Sequence, residues 1–323
     1  MTEGPLENIH LPVLLKETVD LLLCKPGGTY VDATVGLGGH SEKVLQAAPD
    51  ARLIAIDQDP GALDAAKARL ANPSDKITFV NENFAAIRSV LDLLGVPQID
   101  GIIADLGVSS LQFDSPERGF SFRYDAPLDM RMNPGLNVPT AAELLEELPE
   151  KEIADIIYRY GEERSSRSIA RRIVRSREIG RPVRTTKQLA ELVERSVRRS
   201  KSDRIHPATR TFQALRIAVN KELDVLEQFL IDGIDSLKTE GRFAVITFHS
   251  LEDRIVKQTF QRLTGKCFCP PRMPKCICGA EKKVEIVTRR PVTPSDDEIQ
   301  KNPRSRSAKL RVVRRIADQS KTP

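Results

Sequence analysis

The chain has 323 residues, 40% of them hydrophobic and 29% charged, with a formal net charge of +5. Such a composition suits a soluble globular protein of one large or two modest domains and excludes disordered and fibrous classes. No apolar run reaches the roughly 18 residues that span a bilayer, and the start Met1–Pro5 lacks the basic and apolar regions of a secretory signal, so a cytoplasmic protein without a membrane partner is expected.

In chain order, helical apolar spacing over Val13–Leu23 stops at the Lys25-Pro26-Gly27-Gly28 break. Strand and helix then alternate. Strands are expected at Thr29–Ala33, Arg52–Asp57, Lys76–Glu82 and Ile99–Asp105, and helices at Ser41–Ala48, Pro60–Leu70 and Phe84–Leu94. This spacing predicts βαβ units and a parallel sheet. A turn-rich stretch runs from Leu106 to Pro134, and the signal from Thr140 to Gln228 is helical throughout. Sheet character resumes at Gly241–Phe248, with further strands expected in Glu281–Pro294 and Ala308–Arg314. The fold class predicted is α/β, a doubly wound sheet with an α-helical domain inserted between its fourth and fifth strands.

The first strand ends in Asp32, and the glycine-rich turn Thr34-Val35-Gly36-Leu37-Gly38-Gly39-His40-Ser41 leads into a helix. In an open α/β sheet, nucleotide-like ligands sit in the crevice at such a strand end. The second strand ends in Asp57, placed to accept hydrogen bonds from both hydroxyls of a ribose. A dinucleotide site wants a third glycine where this chain has Ser41. The acid-x-Thr-x-Gly-x-Gly-Gly order fits better the first motif of S-adenosylmethionine-dependent methyltransferases. Phe84 follows the third strand, where its ring either flanks an adenine or fills the core under a helix. Asp105 closes the fourth strand, beside the transferable group of any ligand in the crevice.

The insertion carries the basic charge. Arg164, Arg167, Arg171, Arg172, Arg175, Arg181, Arg184, Arg195, Arg198, Arg199, Lys201, Arg204 and Arg210 crowd one helical stretch. Arginine pairs bidentately with phosphate and stacks on bases, so this local, one-signed excess points to RNA more than to a solvated face.

Seven blocks together resemble the MraW (RsmH) family. They are Thr34–Ser41, Asp105–Ser110, Glu117–Phe122, Pro127–Met132, Tyr160–Arg164, His206–Gln213 and Phe248–Arg254. The resemblance runs from about His10 to Arg314. It implies a bacterial 16S ribosomal RNA cytosine-N4 methyltransferase, acting with S-adenosyl-L-methionine on a decoding-centre cytidine of the small ribosomal subunit. It places the cofactor on Gly38, Gly39, His40, Asp57, Phe84, Asp105 and Gln112. His40 and Gln112 come from the resemblance, whereas the strand-end pattern already selects the others. The division expected is a methyltransferase domain over 1–112 and 235–323, with an inserted RNA-recognition domain over 113–234.

Methyl transfer from a sulfonium is an in-line displacement that needs alignment and exclusion of water. The cytosine amine is a poor nucleophile, and Asp105 is the expected acceptor of its proton. The base must leave its stack to reach the crevice. Arg118, Phe120 and Phe122 either hold a splayed base or form a hydrophobic plug. Asp129 and Arg131 either pair with each other or contact the base. His206, Thr209 and Arg210 open a helix whose N-terminus favours phosphate. His249 follows the fifth strand toward the same crevice.

Of five cysteines, Cys24 is isolated, which argues against a disulfide framework. Cys267, Cys269, Cys276 and Cys278 form two C-x-C pairs around a proline-rich centre. They either enclose zinc, clasp an apolar loop or form occasional disulfides on oxidation, although C-x-C is unusual for zinc and the methyl transfer needs no metal. A homodimer is left open. The competing readings are a nicotinamide-dependent oxidoreductase, which lacks the third glycine, and an RNA-binding protein with an idle methyltransferase fold, against which the intact glycines, Asp57 and Asp105 count.

Overall fold

The computed structural model describes residues 12–70, 76–197, 206–267, 269, 277, 278 and 280–317. Arg198, Arg199, Lys201, Arg204 and Cys276, named above, lie outside the described residues. The chain divides into two units, Met1–Gly107 with Val225–Pro323, and Val108–Asp224.

The first unit opens with α1 (Leu15–Leu22), β1 (Thr29–Asp32), α2 (Gly39–Ala47), β2 (Arg52–Asp57), α3 (Pro60–Arg69), β3 (Ile77–Asn81), α4 (Ile87–Leu93) and β4 (Ile99–Asp105). The second unit holds α5 (Ser110–Asp114), α6 (Ala141–Glu147), α7 (Glu150–Gly161), α8 (Ser166–Glu178), α9 (Thr186–Ser196) and α10 (Ala208–Asn220). The chain returns through α11 (Glu222–Asp235) to β5 (Leu237–Thr247), α12 (Ser250–Arg262), β6 (Val284–Ile286), α13 (Asp296–Lys301) and β7 (Lys309–Arg315).

The seven strands form one sheet in the order β3-β2-β1-β4-β5-β7-β6. The first five pair in parallel, and β7 runs antiparallel to both β5 and β6. Parallel strands covered on both faces must be apolar throughout, which explains runs such as Leu53-Ile54-Ala55-Ile56 and Ile102-Ile103-Ala104. On one face, Leu53, Ala55, Ile103 and Ile246 bury with Val44 of α2 and Leu63 and Ala66 of α3. On the other, Phe243 meets Phe229 of α11 edge-on at 5.4 Å and lies 6.2 Å from the ring of Phe260 of α12. The crevice lies at the carboxyl ends of β1 and β4, where the strand order reverses.

Several expectations shift. The unit boundaries fall at 107/108 and 224/225, not 112/113 and 234/235. The cause is packing. Val108 and Phe113 join the core of the second unit, while Phe229 of α11 joins the aromatic cluster of the sheet. The fifth strand starts at Leu237, four residues ahead of the stretch expected from Gly241. Of the strand expected over Glu281–Pro294, only Val284–Ile286 forms. Pro291 and Pro294 cannot donate to a ladder, and β6 pairs on β7 alone. The helical stretch breaks into separate helices at Pro149, at Glu162 to Ser165, at Gly180-Arg181-Pro182, before α10 and at Lys221. Among the described residues no helix is long and apolar enough to cross a membrane.

The second unit has its own core. Ile153 and Ile157 of α7, Ile169 and Ile173 of α8, and Leu189 and Val193 of α9 bury at i, i+4 spacing around Phe212 and Leu215 of α10. The opposite face of α8 carries exposed Arg167, Arg171, Arg172 and Arg175. Gly119 is fixed by backbone geometry. Its φ is +71°, and a Cβ there would stand 2.4 Å from Pro127 O and 2.7 Å from Asp129 N. We expect Gly119→Ala to destabilise this unit by about 2–4 kcal/mol, from left-handed strain plus overpacking. Hydrogen exchange should show faster opening confined to residues of the 108–224 unit. Unchanged protection there would refute the assignment.

Candidate active site

Three acids converge by register. Asp32 ends β1 and pairs with Ala55 of β2 and Ile103 of β4. Asp57 and Asp105 lie two residues beyond those partners. An even step keeps a side chain on the same face of a sheet, so all three carboxylates share one face of the crevice.

Each is held differently. Asp32 is buried and accepts from Ser41 Oγ at 2.7 Å and Thr34 N at 3.3 Å. Burial nevertheless pushes it up to about 6. Asp57 accepts from Gly36 N and Asp59 N, both at 2.9 Å, and burial pushes it likewise to about 6. Asp105 is the extreme case. Burial first, then the charges of Asp32 and Glu252, hold its carboxyl well above the usual carboxylate range. Its Oδ1 is buried with no hydrogen-bond partner among the described residues, while 26% of the side chain remains exposed. The Asp105 backbone is fixed, because its N–H donates to Thr34 Oγ1 at 2.7 Å.

His40 stands beside it. Its Nε2 lies 3.1 Å from Val13 O, which can only accept, so Nε2 carries a proton there. Its Nδ1 is 3.9 Å from Asp105 Oδ2. Gly38 takes φ +79° as the N-cap of α2. Gly39 answers to packing, since a Cβ there would come within 2.1 Å of Pro12 Cγ. The smallness of Gly39 therefore serves the chain's own close approach. Phe84 packs on the core and keeps part of its ring exposed. It meets the Phe229 ring at 4.7 Å and is only half-buried. Asn83 beside it reaches Gln58 Oε1 at 2.9 Å, joining the ends of β2 and β3.

His249 is the N-cap of α12. Its Nδ1 accepts from Glu252 N at 3.4 Å. Its Nε2 sits 3.0 Å from Glu252 Oε1 but out of line for a hydrogen bond. Glu252 in turn accepts from Phe248 N at 2.8 Å. The Nδ1 of His249 is thus engaged in capping the helix start. Cys267, Cys269 and Cys278 gather between α12 and β6.

Gln112 belongs to the second unit. It is buried, and its Oε1 accepts from Ser109 N at 3.1 Å in the capping box of α5. Arg118 Nη2 donates to Arg131 O and Met132 O, both at 2.9 Å, bracing a turn. Phe120 is core. Asp129 and Arg131 form a two-pronged ion pair at 2.8 Å per contact. Burial pushes the Asp129 carboxyl up, but the Arg131 bonds outweigh it and the net shift is downward. Phe122 stacks on His206 at 4.5 Å and stays half-buried. His206 Nε2 meets Glu194 Oε1 at 2.7 Å, and its Nδ1 accepts from Ala208 N at 3.2 Å. Thr209 and Arg210 are exposed on the first turn of α10, with Arg210 Nη1 3.9 Å from Glu163 Oε2.

The arginines of α8 and the following turn line a hollow of about 1090 Å³ with residues of α9. Arg171, Arg184 and Arg195 have acidic neighbours, Glu150, Glu146 and Glu191. Arg172, Arg175 and Arg181 face it exposed and without an ion pair among the described residues.

The clustered acids suit a ligand that brings positive charge, because such charge restores ionisation that burial suppresses. A parallel sheet of this order, closed by an antiparallel seventh strand and carrying this crevice, defines a class I S-adenosyl-L-methionine-dependent methyltransferase. The sequence model of the MraW methylase family matches residues 7–316, and the chain belongs to that family. It is 53% identical over 306 residues to the ribosomal RNA small subunit methyltransferase H of Symbiobacterium thermophilum, covering 94% of this chain and 96% of that one. It is 50% identical over 318 residues to the protein of the same name from a Paenibacillus species, covering 95% and 99%.

Thr34, Ser41 and Glu252 lie in the blocks singled out above, but no sequence signal shows what they contact. Thr34 meets Asp105 across 71 positions of chain.

Asp105 sets a pH dependence. An acid held above its unfolded pKa keeps its proton in the folded protein where the unfolded chain has lost it. Stability from that group is therefore lost as pH rises through the usual carboxylate range and beyond. Asparagine cannot ionise. We expect Asp105→Asn to gain stability relative to the parent protein as pH rises from about 4 toward neutrality. Denaturant unfolding across that window reads the difference, and a flat profile would contradict the burial of this charge.

Proposed function

We propose that this chain methylates small-subunit ribosomal RNA at N4 of a decoding-centre cytidine, cytidine 1402 of 16S rRNA. The name shared by its relatives supports the RNA, and the resemblance of seven sequence blocks supports the nucleotide. The observation that carries the chemistry is Asp105, a desolvated carboxylate at the sheet's reversal point with one oxygen lacking a hydrogen-bond partner among the described residues.

When bound, S-adenosyl-L-methionine supplies a methyl group already activated on a positively charged sulfonium. Asp57 accepts from the ribose hydroxyls through lone pairs beyond those used by the Gly36 and Asp59 N–H groups. Phe84 offers the exposed part of its ring to the adenine. Gly38 and His40 shape the turn around the remainder. Asp105, ionised beside the positive sulfonium, accepts a hydrogen bond from the cytosine amine, which draws the nitrogen lone pair out of the ring, and takes the proton that leaves as the N–CH3 bond forms and the donor's S–CH3 bond breaks, the sulfur leaving as a neutral thioether. Thr34 Oγ1 fixes the Asp105 backbone by accepting its N–H, and His40 Nδ1 stands 3.9 Å from the carboxylate.

In the second unit, Arg172, Arg175 and Arg181 contact RNA phosphates. Phe122, stacked on His206, offers an aromatic surface to an unpaired base.

Tritiated methyl should pass from the donor to small-subunit RNA, and mass mapping should place it on the cytosine amine. A product on another atom or nucleotide would overturn the assignment. Asp105→Asn should slow single-turnover transfer at saturating donor by about 10²–10⁴-fold. If only donor affinity falls while that rate stays normal, Asp105 is not the proton acceptor. Replacing Arg172, Arg175 and Arg181 together by alanine should reduce the slope of log affinity against log salt by about 2 for single-stranded RNA. An unchanged slope would remove these arginines from the interface.

A further inference from the structure

The C-x-C pairs take no part in the site above, yet the structure brings their thiols together. After α12 the chain turns at Gly265, and Thr264 bridges antiparallel to Lys282. Leu263 O accepts from Lys283 N at 2.8 Å and from Val284 N at 3.1 Å. The two arms of the loop are thus clamped side by side where it leaves α12 and enters β6. Farther along the two arms stand Cys267 and Cys278. Their Sγ atoms are 3.7 Å apart. Cys269 joins them, and all three Sγ atoms lie within 4.8 Å of one another.

These distances suit a single thiolate-bound metal ion. A disulfide would need about 2.0 Å between sulfurs, so Cys267 and Cys278 are not cross-linked. With zinc–sulfur bonds of about 2.3 Å, two corners of a tetrahedron stand about 3.8 Å apart. The Cys267–Cys278 separation already matches that edge. An iron–sulfur cluster would hold its thiolates farther apart, and carboxylate-loving cations do not choose a thiol set. We propose that Cys267, Cys269 and Cys278 bind a structural zinc ion that ties the loop between α12 and β6 at its base. On binding, each thiol releases its proton to solvent and coordinates as thiolate. The sequence carries a fourth thiol nearby, Cys276, outside the described residues, and the site as assigned uses the three described ones. Lys266 beside Cys267, and Lys282 on the facing arm, supply positive charge next to an anionic thiolate centre. The metal closes a loop beside the edge strand and has no part in the methyl transfer.

The full chain, produced in zinc-supplemented medium and purified without chelator or metal-affinity resin, should contain close to one zinc per chain by mass spectrometry of the elements. A mercurial that blocks thiols should release it. The double variant Cys267→Ser/Cys278→Ser should lose at least nine-tenths of the metal. Because that variant risks misfolding the loop, the parent protein gives a second measurement. Metal-free protein titrated with cobalt should develop the intense visible bands of tetrahedral cobalt–thiolate, displaced by zinc. Differential alkylation should find Cys267, Cys269 and Cys278 protected with metal and labelled without it, while Cys24 is indifferent. Zinc below a tenth of an equivalent in folded protein, with no tetrahedral cobalt spectrum, would overturn the proposal. So would full zinc retention in the double variant, or iron or copper in place of zinc. None of these readouts depends on which RNA is methylated.

Discussion

Three carboxylates end neighbouring strands of a parallel sheet, and the register gives them no room to spread. Asp32, Asp57 and Asp105 face the same way because β2, β1 and β4 are adjacent and their terminal acids differ by even steps. Two of them are quieted by local donors, Ser41 and Thr34 for the first, Gly36 and Asp59 for the second. The third is given a fixed backbone but no donor at Oδ1 among the described residues. That asymmetry turns a strained electrostatic cluster into a site with a preference. The sheet core, the glycine turn and the closeness of His40 are the means by which these charges are kept near one another and away from bulk water.

Glycines in the turn divide their work. Gly36 and Gly38 adopt left-handed backbone, so the loop can double back and present the Gly36 amide to Asp57. Gly39 instead makes room for Pro12. One short motif thus serves the contact to Asp57 and core assembly together. A substitution there cannot be assigned to one cause from loss of activity alone. The second unit shows a similar division, since Arg118 and the Asp129–Arg131 pair brace turns while the outward arginines of α8 remain exposed.

Much of this is written locally in the chain. The first four strands and their helices are visible because parallel strands buried on both faces need unbroken apolar runs, and because Gly and Pro punctuate them. Asp57 and Asp105 are readable as the last residues of such runs. Other features depend on partners distant in sequence. The short β6 reflects what β7 offers as a neighbour, and α11 goes with the sheet because Phe229 finds Phe243. Arg118, Phe120 and His249 have the residue types expected of a substrate surface, but their partners are turn carbonyls, the core and a helix cap. Residue type alone does not separate those uses, because the deciding neighbour is far along the chain.

The insertion point has a consequence for synthesis. β4 pairs with β5, so residues 103 and 244 must meet, yet the whole second unit is translated between them. While a ribosome makes that stretch, the nascent half-sheet keeps the backbone groups along its β4 edge unsatisfied, a template for pairing with the wrong strand. The helical unit has its own core and can fold as it emerges, shortening the effective gap that β5 must close. The carboxyl of Asp105, which pairs beside Ile246 of β5 and feels the charge of Glu252, therefore reaches its low-dielectric setting only once β5 has docked.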